Sequence, residues 1–139
     1  MTTADELAYW FESQGIGTVK TTSNSGDIFR NYVPDTPSDV LCLLEEPGGE
    51  PDLTLENGLI LERPQVRIIA RSTSVDTARA LIEAAFLKSA TIINTALRPS
   101  GPRWNSAIPR QSPYGEGRDF NGWFRFCFAV AIVKQPSSV

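Results

Sequence analysis

Histidine is absent from the 139-residue chain. With it go Ser-His-Asp and Cys-His nucleophilic catalysis, any His-ligated metal centre, and the one side chain that ordinarily titrates near neutrality. An enzyme here would have to use carboxylates, Lys, Tyr or Cys with displaced pKa values. Cysteine is scarce. Cys42 and Cys127 stand far apart, each inside an apolar run, with no C-x-x-C and no zinc spacing. Both are expected to be buried thiols acting as small hydrophobes. Long hydrophobic stretches are missing too: no apolar run approaches the roughly 18 residues of a membrane helix. The opening MTTADELAYWF has no basic start and no long apolar core, so no signal peptide is expected. A soluble protein made in a cytoplasm is the expectation. Neither G-x-G-x-x-G nor G-x-x-x-x-G-K-[ST] occurs, which leaves nucleotide binding through those loops unsupported.

Bases are nearly missing from the first part of the chain. Residues 1–62 hold twelve acids and two bases, a balance of −10, whereas residues 63–139 hold four acids and eleven bases, a balance of +7. Between 35 and 62 there are eight acids and no base. Two halves packed side by side would neutralise each other. One acidic and one basic face would suit head-to-tail contacts in a ring or stack. The net charge of −3 lacks the basic footprint of a nucleic-acid binder.

What is present, 41% apolar and 21% charged residues, describes a single globular domain over 1–139. Thr3 followed by Glu6 reads as a capping box. Leu7, Trp10 and Phe11 follow at helical spacing, and Gly15 and Gly17 stop a helix over about 4–14. Residues 27–33 read as a strand, 34–38 as a turn cluster, and 40–44 as a short apolar strand covered on both faces. An irregular acidic loop follows at 45–58, where Pro47, Gly48, Gly49 and Pro51 oppose regular structure. Its carboxylates do not match an EF-hand, and no metal or other cofactor is expected. Residues 65–71 alternate as a strand with one buried and one more polar face. Ala78, Leu81, Ile82, Ala85 and Phe86 form an amphipathic stripe on a helix over about 74–90, with an extension to Asn94 left open. Residues 97–119, rich in Pro, Gly and Arg, read as a long excursion with one strand near 104–110. Residues 122–133 form one long strand of about 40 Å. Phe124, Phe126, Phe128, Val130 and Ile132 share one of its faces, and a strand so apolar must be sheltered on both sides. The tail from Gln135 should fray. The order predicts an α+β fold, a mostly antiparallel sheet with two helices packed on it.

Several segments in order, LAYWFESQGIGTV, DIFRNYVPDTPSDVLCLLEEPGGEPD, RPQVRIIAR, TARALIEAAF and SPYGEGRDFNGWFRFCFAVAI, resemble the phage minor capsid and tail-terminator family of long-tailed bacteriophages. The resemblance covers most of the chain and implies a tail-terminator-like α+β fold. It implies a homo-oligomer, a hexameric ring capping the tail tube protein and facing a head-connector or stopper protein. That is a head–tail joining role in the virion, assembled in the host bacterial cytoplasm. DNA would pass through without specific binding, no membrane would be involved, and no reaction would be catalysed. The family supplies no functional residues to transfer.

Irregularity and charge point to two contact surfaces instead: Glu45, Glu46, Glu50 and Asp52 in the acidic loop, and Arg98, Arg103, Arg110 and Arg118 in the excursion. Trp104 and Tyr114 are candidate aromatic anchors, with Trp104 equally readable as core. Three rivals exist. The first is a tail tube or connector-adaptor subunit. A hydrolase could use Glu45, Glu46 or Asp52. A nucleic-acid module could use Arg98, Arg103, Arg110 and Arg118 with Trp104. Reversing both Arg103 and Arg110 to Glu should weaken assembly while the monomer keeps its unfolding midpoint. A double variant that assembled normally, by native mass, would remove the excursion as an interface.

Overall fold

The computed structural model of the chain describes residues 1–53 and 60–135. Helix α1 (Thr3–Ser13) leads to β1 (Ile28–Arg30), β2 (Val40–Glu46), β3 (Asp52–Leu53), β4 (Ile60–Leu61) and β5 (Gln65–Ser72). Helix α2 (Val75–Ser89), β6 (Ile93–Ala96), β7 (Arg103–Pro109), β8 (Tyr114–Arg118) and β9 (Phe124–Lys134) follow. The main sheet runs β1-β2-β5-β9-β7-β6, with β8 also paired to β9, while β3 and β4 form a separate ribbon. Every pairing is antiparallel except β1 with β2. The fold is therefore the expected α+β arrangement, two helices on a mostly antiparallel, curled sheet.

The long apolar strand is sheltered as its composition requires. Along one side β9 pairs with β5 from Phe124 to Ala131. Along the other it pairs with β8 over Phe124–Cys127 and with β7 over Val130–Lys134. Its backbone groups therefore find partners on both sides. Phe128, Val130 and Ile132, with Phe126 beside them, face the helices and join Leu41, Leu43, Val66 and Ile68 against Leu7, Phe11 and Ile82. Both helices cover this one face.

Several expectations are corrected. The excursion at 97–119 is mostly strand, because β7 and β8 are the partners that β9 needs. Glu45 and Glu46 extend β2 as partners of Val66 and Gln65. They are not loop residues. The remaining acidic segment includes β3, and residues 54–58 of it lie outside the described residues. Strand β1 is shorter than 27–33. Helix α2 ends at Ser89, since Ile93 begins β6. The second face of β5, more polar as expected at Gln65 and Arg67, is covered at its C-terminal end, where Ile69 and Arg71 are both buried. Gln135 is not frayed, because its amide donates to Arg103 O at 2.9 Å. The tail at 136–139 lies outside the described residues.

The start of α1 is shifted by one residue from the sequence reading. Thr2, not Thr3, is the N-cap: its Oγ1 accepts from Asp5 N at 3.1 Å, and Thr2 N donates back to Asp5 Oδ2 at 3.1 Å. The shift releases Glu6 from capping and turns it inward. At the other end, Ile16 N donates to Phe11 O and Gly15 N to Glu12 O, both 3.1 Å, with Gly15 at φ +81°. That left-handed residue is where glycine is needed to end the helix.

Glu6 is fully buried, and so is Lys134 of β9. Lys134 Nζ lies 3.0 Å from Glu6 Oε1, while Trp104 Nε1 donates to Glu6 Oε2 at 3.2 Å. Lys134 also sits 5.6 Å from the Trp104 ring centroid and within 3.4 Å of Thr3 Oγ1. One carboxylate thus joins α1, β7 and β9. Removing one partner of such a pair strands a buried charge. Lys134→Met or Glu6→Leu alone should each cost about 3–5 kcal/mol. The double variant should recover most of that loss, short of the indole N–H left without an acceptor. Urea unfolding of the three variants measures this; double-variant losses equal to the sum of the singles would disprove it.

Candidate assembly surfaces

The sheet face turned away from the helices is only partly covered. Register places one row across five strands: Phe29, Cys42, Ile69, Cys127 and Tyr114, from β1 to β8. Phe29, Val40, Cys42, Ile69 and Cys127 form a second small core there, with Val33 and Leu44 packed against it. Arg71 holds the 34–38 turn over this core. Its Nη2 donates to Pro37 O at 2.8 Å and its Nε to Ser38 O at 3.3 Å, and its guanidinium stacks 4.7 Å from the Trp123 ring centroid. Cys42 and Cys127 are free and buried as expected. They are separated by the β5 strand, about 9.6 Å apart at ordinary strand spacing, too far for a disulfide.

Beyond this row the face opens into a cleft of about 380 Å³ lined by Glu46, Gln65, Arg67, Arg110, Gln111 and Tyr114, among others. Its polar groups are engaged with each other. Gln65 Nε2 donates to Glu46 Oε1 at 3.0 Å, and Gln65 Oε1 accepts from Arg110 Nη1 at 2.8 Å. Arg67 pairs with Glu116 and reaches Cys127 Sγ at 3.5 Å. Contact with the Cys127 sulfur also raises the pKa of the exposed Tyr114 phenol. Glu46 of the acidic part thus lies among Gln65, Arg67 and Arg110 of the basic part, whereas Arg67–Glu116 and Arg30–Asp5, the latter at 3.2 Å, each pair within one part. Lys134 with Glu6 is an ion pair that does join the two parts.

The structure gathers only three of the ten sequence candidates, Glu46, Arg110 and Tyr114, in one place. Glu45 Oε1 accepts from Ala4 N at 3.1 Å and anchors the start of α1. Glu50 is exposed between β2 and β3, and Asp52 lies in β3. Arg103 binds Asn94 O at 2.8 Å across the β6–β7 turn, and Arg98 lies in the same turn with its Nε unpaired. Arg103 and Arg110 flank opposite ends of β7, so they do not form one patch. Arg118 closes β8 and stacks 4.8 Å from the Phe124 ring. Trp104 has no exposed surface: it is core, neither an interface anchor nor a platform for stacking bases.

Sequence reasoning missed the exposed apolar side chains. Ile93 and Ile108, 69% and 62% exposed, lie on the helix-free face of β6 and β7, beside Ala131 and Val133 of β9. Phe120, at the β8–β9 turn, has its whole side chain in solvent. Helix-free faces are visible only once the strand order is known, and a lone Phe in a turn carries no period. Among the described residues, no three Cys, Asp or Glu side chains gather as metal ligands, and no helix is long and apolar enough to cross a membrane.

No protein-family model and no curated protein sequence matches the chain. Among solved structures it is similar to a chain of one described as the virion of a native gene transfer agent particle, with 12% identity, a TM-score of 0.49, and 78% of each chain covered. At that distance the likeness carries no argument about function.

Burial pushes the Cys42 thiol up to about 12, against a smaller opposing pull from Arg71 and Arg125. The folded state thus holds its proton more tightly than the unfolded chain. This stabilisation is complete below the ordinary thiol pKa of about 9 and fades as pH rises from there towards about 12. Urea midpoints should fall between pH 9 and 10.5 in the wild type, and fall less steeply in Cys42→Ala. Equal slopes would contradict the assignment.

Proposed function

We propose that the chain is a structural subunit of a phage-like virion, a tail terminator or head–tail joining protein. On this reading it forms a ring that caps the tail tube protein and meets a head-connector or stopper protein, and DNA passes through without specific contacts. It acts by assembly and catalyses no reaction.

The observation that carries the reading is the uncovered half of the sheet. A subunit that worked alone would gain by covering Ile93 and Ile108, about 25 cal/mol for each Å² of apolar surface. A subunit that assembles keeps such a face for its neighbours. The ordered sequence resemblance supplies the identity of the assembly. The carboxylates that an enzyme would need point the same way, since Glu45 and Glu46 are held by the Ala4 amide and Gln65. With Trp104 buried, the nucleic-acid alternative loses its aromatic.

The test adds purified protein to polymerising tail-tube protein, with electron microscopy of the products and native mass of the protein alone. Tubes that stop growing, each capped by one closed ring, are expected. Long filaments of this chain by itself would identify a tube subunit instead, and tubes of unchanged length with no bound chain would end the proposal.

A further inference from the structure

The two lateral edges of the five-strand part of the sheet differ in kind. At one edge, β8 and β9 form a hairpin that ends in the Asp119–Trp123 turn. All five β8 residues are exposed, so nothing among the described residues covers its outer side. Asp119 Oδ1 accepts from Asn121 N at 2.9 Å and Trp123 N at 3.1 Å, which fixes the turn and holds Phe120 outward. A rigid turn presenting a wholly solvated phenyl ring costs free energy unless something receives it. Arg118 stands beside it, stacked on Phe124, and makes no ion pair among the described residues.

At the opposite edge, four strand steps or about 19 Å away, lies a mainly apolar cleft of about 500 Å³. Phe29, Tyr32, Pro34 and Pro37 line it, with Lys20 on the rim. Tyr32 meets the Phe29 ring edge-on at 5.4 Å between centroids and is 54% exposed. Lys20 Nζ is occupied by Asn24 O. Asp35, between the lining residues Pro34 and Thr36, is exposed and makes no hydrogen bond or ion pair among the described residues. One edge thus offers a phenyl ring with an unpaired cation, and the other an aromatic cleft with an unpaired anion.

We infer that the β8–β9 turn of one subunit seats Phe120 in the Phe29–Tyr32–Pro34–Pro37 cleft of a second copy of this chain, with Arg118 meeting Asp35 across the contact. The occupant is a second copy because ring and receptor, cation and anion, are both present on one chain, at opposite edges that cannot meet within it. The contact is heterologous: each subunit gives a turn to one neighbour and receives a turn from the other, which closes into a ring when the rotation between copies allows. The edge-to-face packing already present at Phe29 and Tyr32 suits a third ring. This inference rests on the assembly reading above and names the surfaces through which it would occur.

Sedimentation across a concentration series of the full chain tests it, on wild type, Phe120→Asp, Arg118→Asp, Asp35→Arg and the double reversal of the last two. Phe120, Arg118 and Asp35 are exposed, so each variant should unfold at the wild-type midpoint. Phe120→Asp should raise the dissociation constant about tenfold or more, as loss of a buried aromatic anchor does. Each charge reversal should weaken association, and the double reversal should restore it, which a purely structural role for either residue would not do. Wild-type oligomers that persist undiminished in Phe120→Asp, or charge reversals that the double variant fails to rescue, would overturn the inference while leaving assembly through another surface intact. A wild-type chain that stays monomeric throughout would overturn the assembly reading, and this inference with it.

Discussion

The buried pair between Glu6 and Lys134 is the constraint on which the rest of the fold depends. Burying either group without the other is costly, so α1 is held over the C-terminal end of β9. Trp104 takes the second oxygen of the same carboxylate, which draws β7 to that place as well. With α1 fixed there, Arg30 can reach Asp5 and lie 5.2 Å from the Tyr9 ring centroid, and β1 is held under the helix. A polar contact thereby sets the position of an otherwise apolar layer. Apolar side chains alone would allow a helix to slide. A carboxylate with two fixed partners does not.

The second organising feature is that β9 serves as the spine. Its helix-facing residues build the large core, and its other face runs from Arg125 through Cys127 in the small core to the open, half-buried Ala131 and Val133. The two faces of one strand thus divide the molecule into a side that holds it together and a side available to others. Around α1, Asp5, Glu6, Arg30 and Lys134 are paired internally. Arg118 and Asp35, at the sheet edges, are not.

The sequence was legible where period and punctuation agreed. Helix α2, β2 and β9 are each strongly patterned, and the antiparallel α+β class followed from their order. It misled where composition stood for structure. Gly115, Gly117 and Pro113 made β8 look like loop, but a strand with every side chain exposed needs little from its residues beyond a partner, and β9 supplies that. Gly117, at φ +83°, marks the place where the register of that pairing shifts. Glu6 was read as a helix cap because local spacing fits that role equally well. Its true partner lies 128 positions away, and no local pattern reports such a distance. The candidate surfaces failed in the same way. Of ten residues chosen for charge and irregularity, three converge, because the others serve turns, caps and core contacts that local reading cannot see.

The long separation between Glu6 and Lys134 also bears on the order in which the molecule can be built on a ribosome. Strands β2 and β5 can pair early, but the spine that joins β5 to β7 and β8 is synthesised after all of them. Helix α1 can seat its apolar side on β1 and β2 as soon as these are made, but its carboxylate meets its cation only once Lys134 is synthesised. The strand that closes the sheet, β9 between β5 on one side and β7 and β8 on the other, is thus the last to be made.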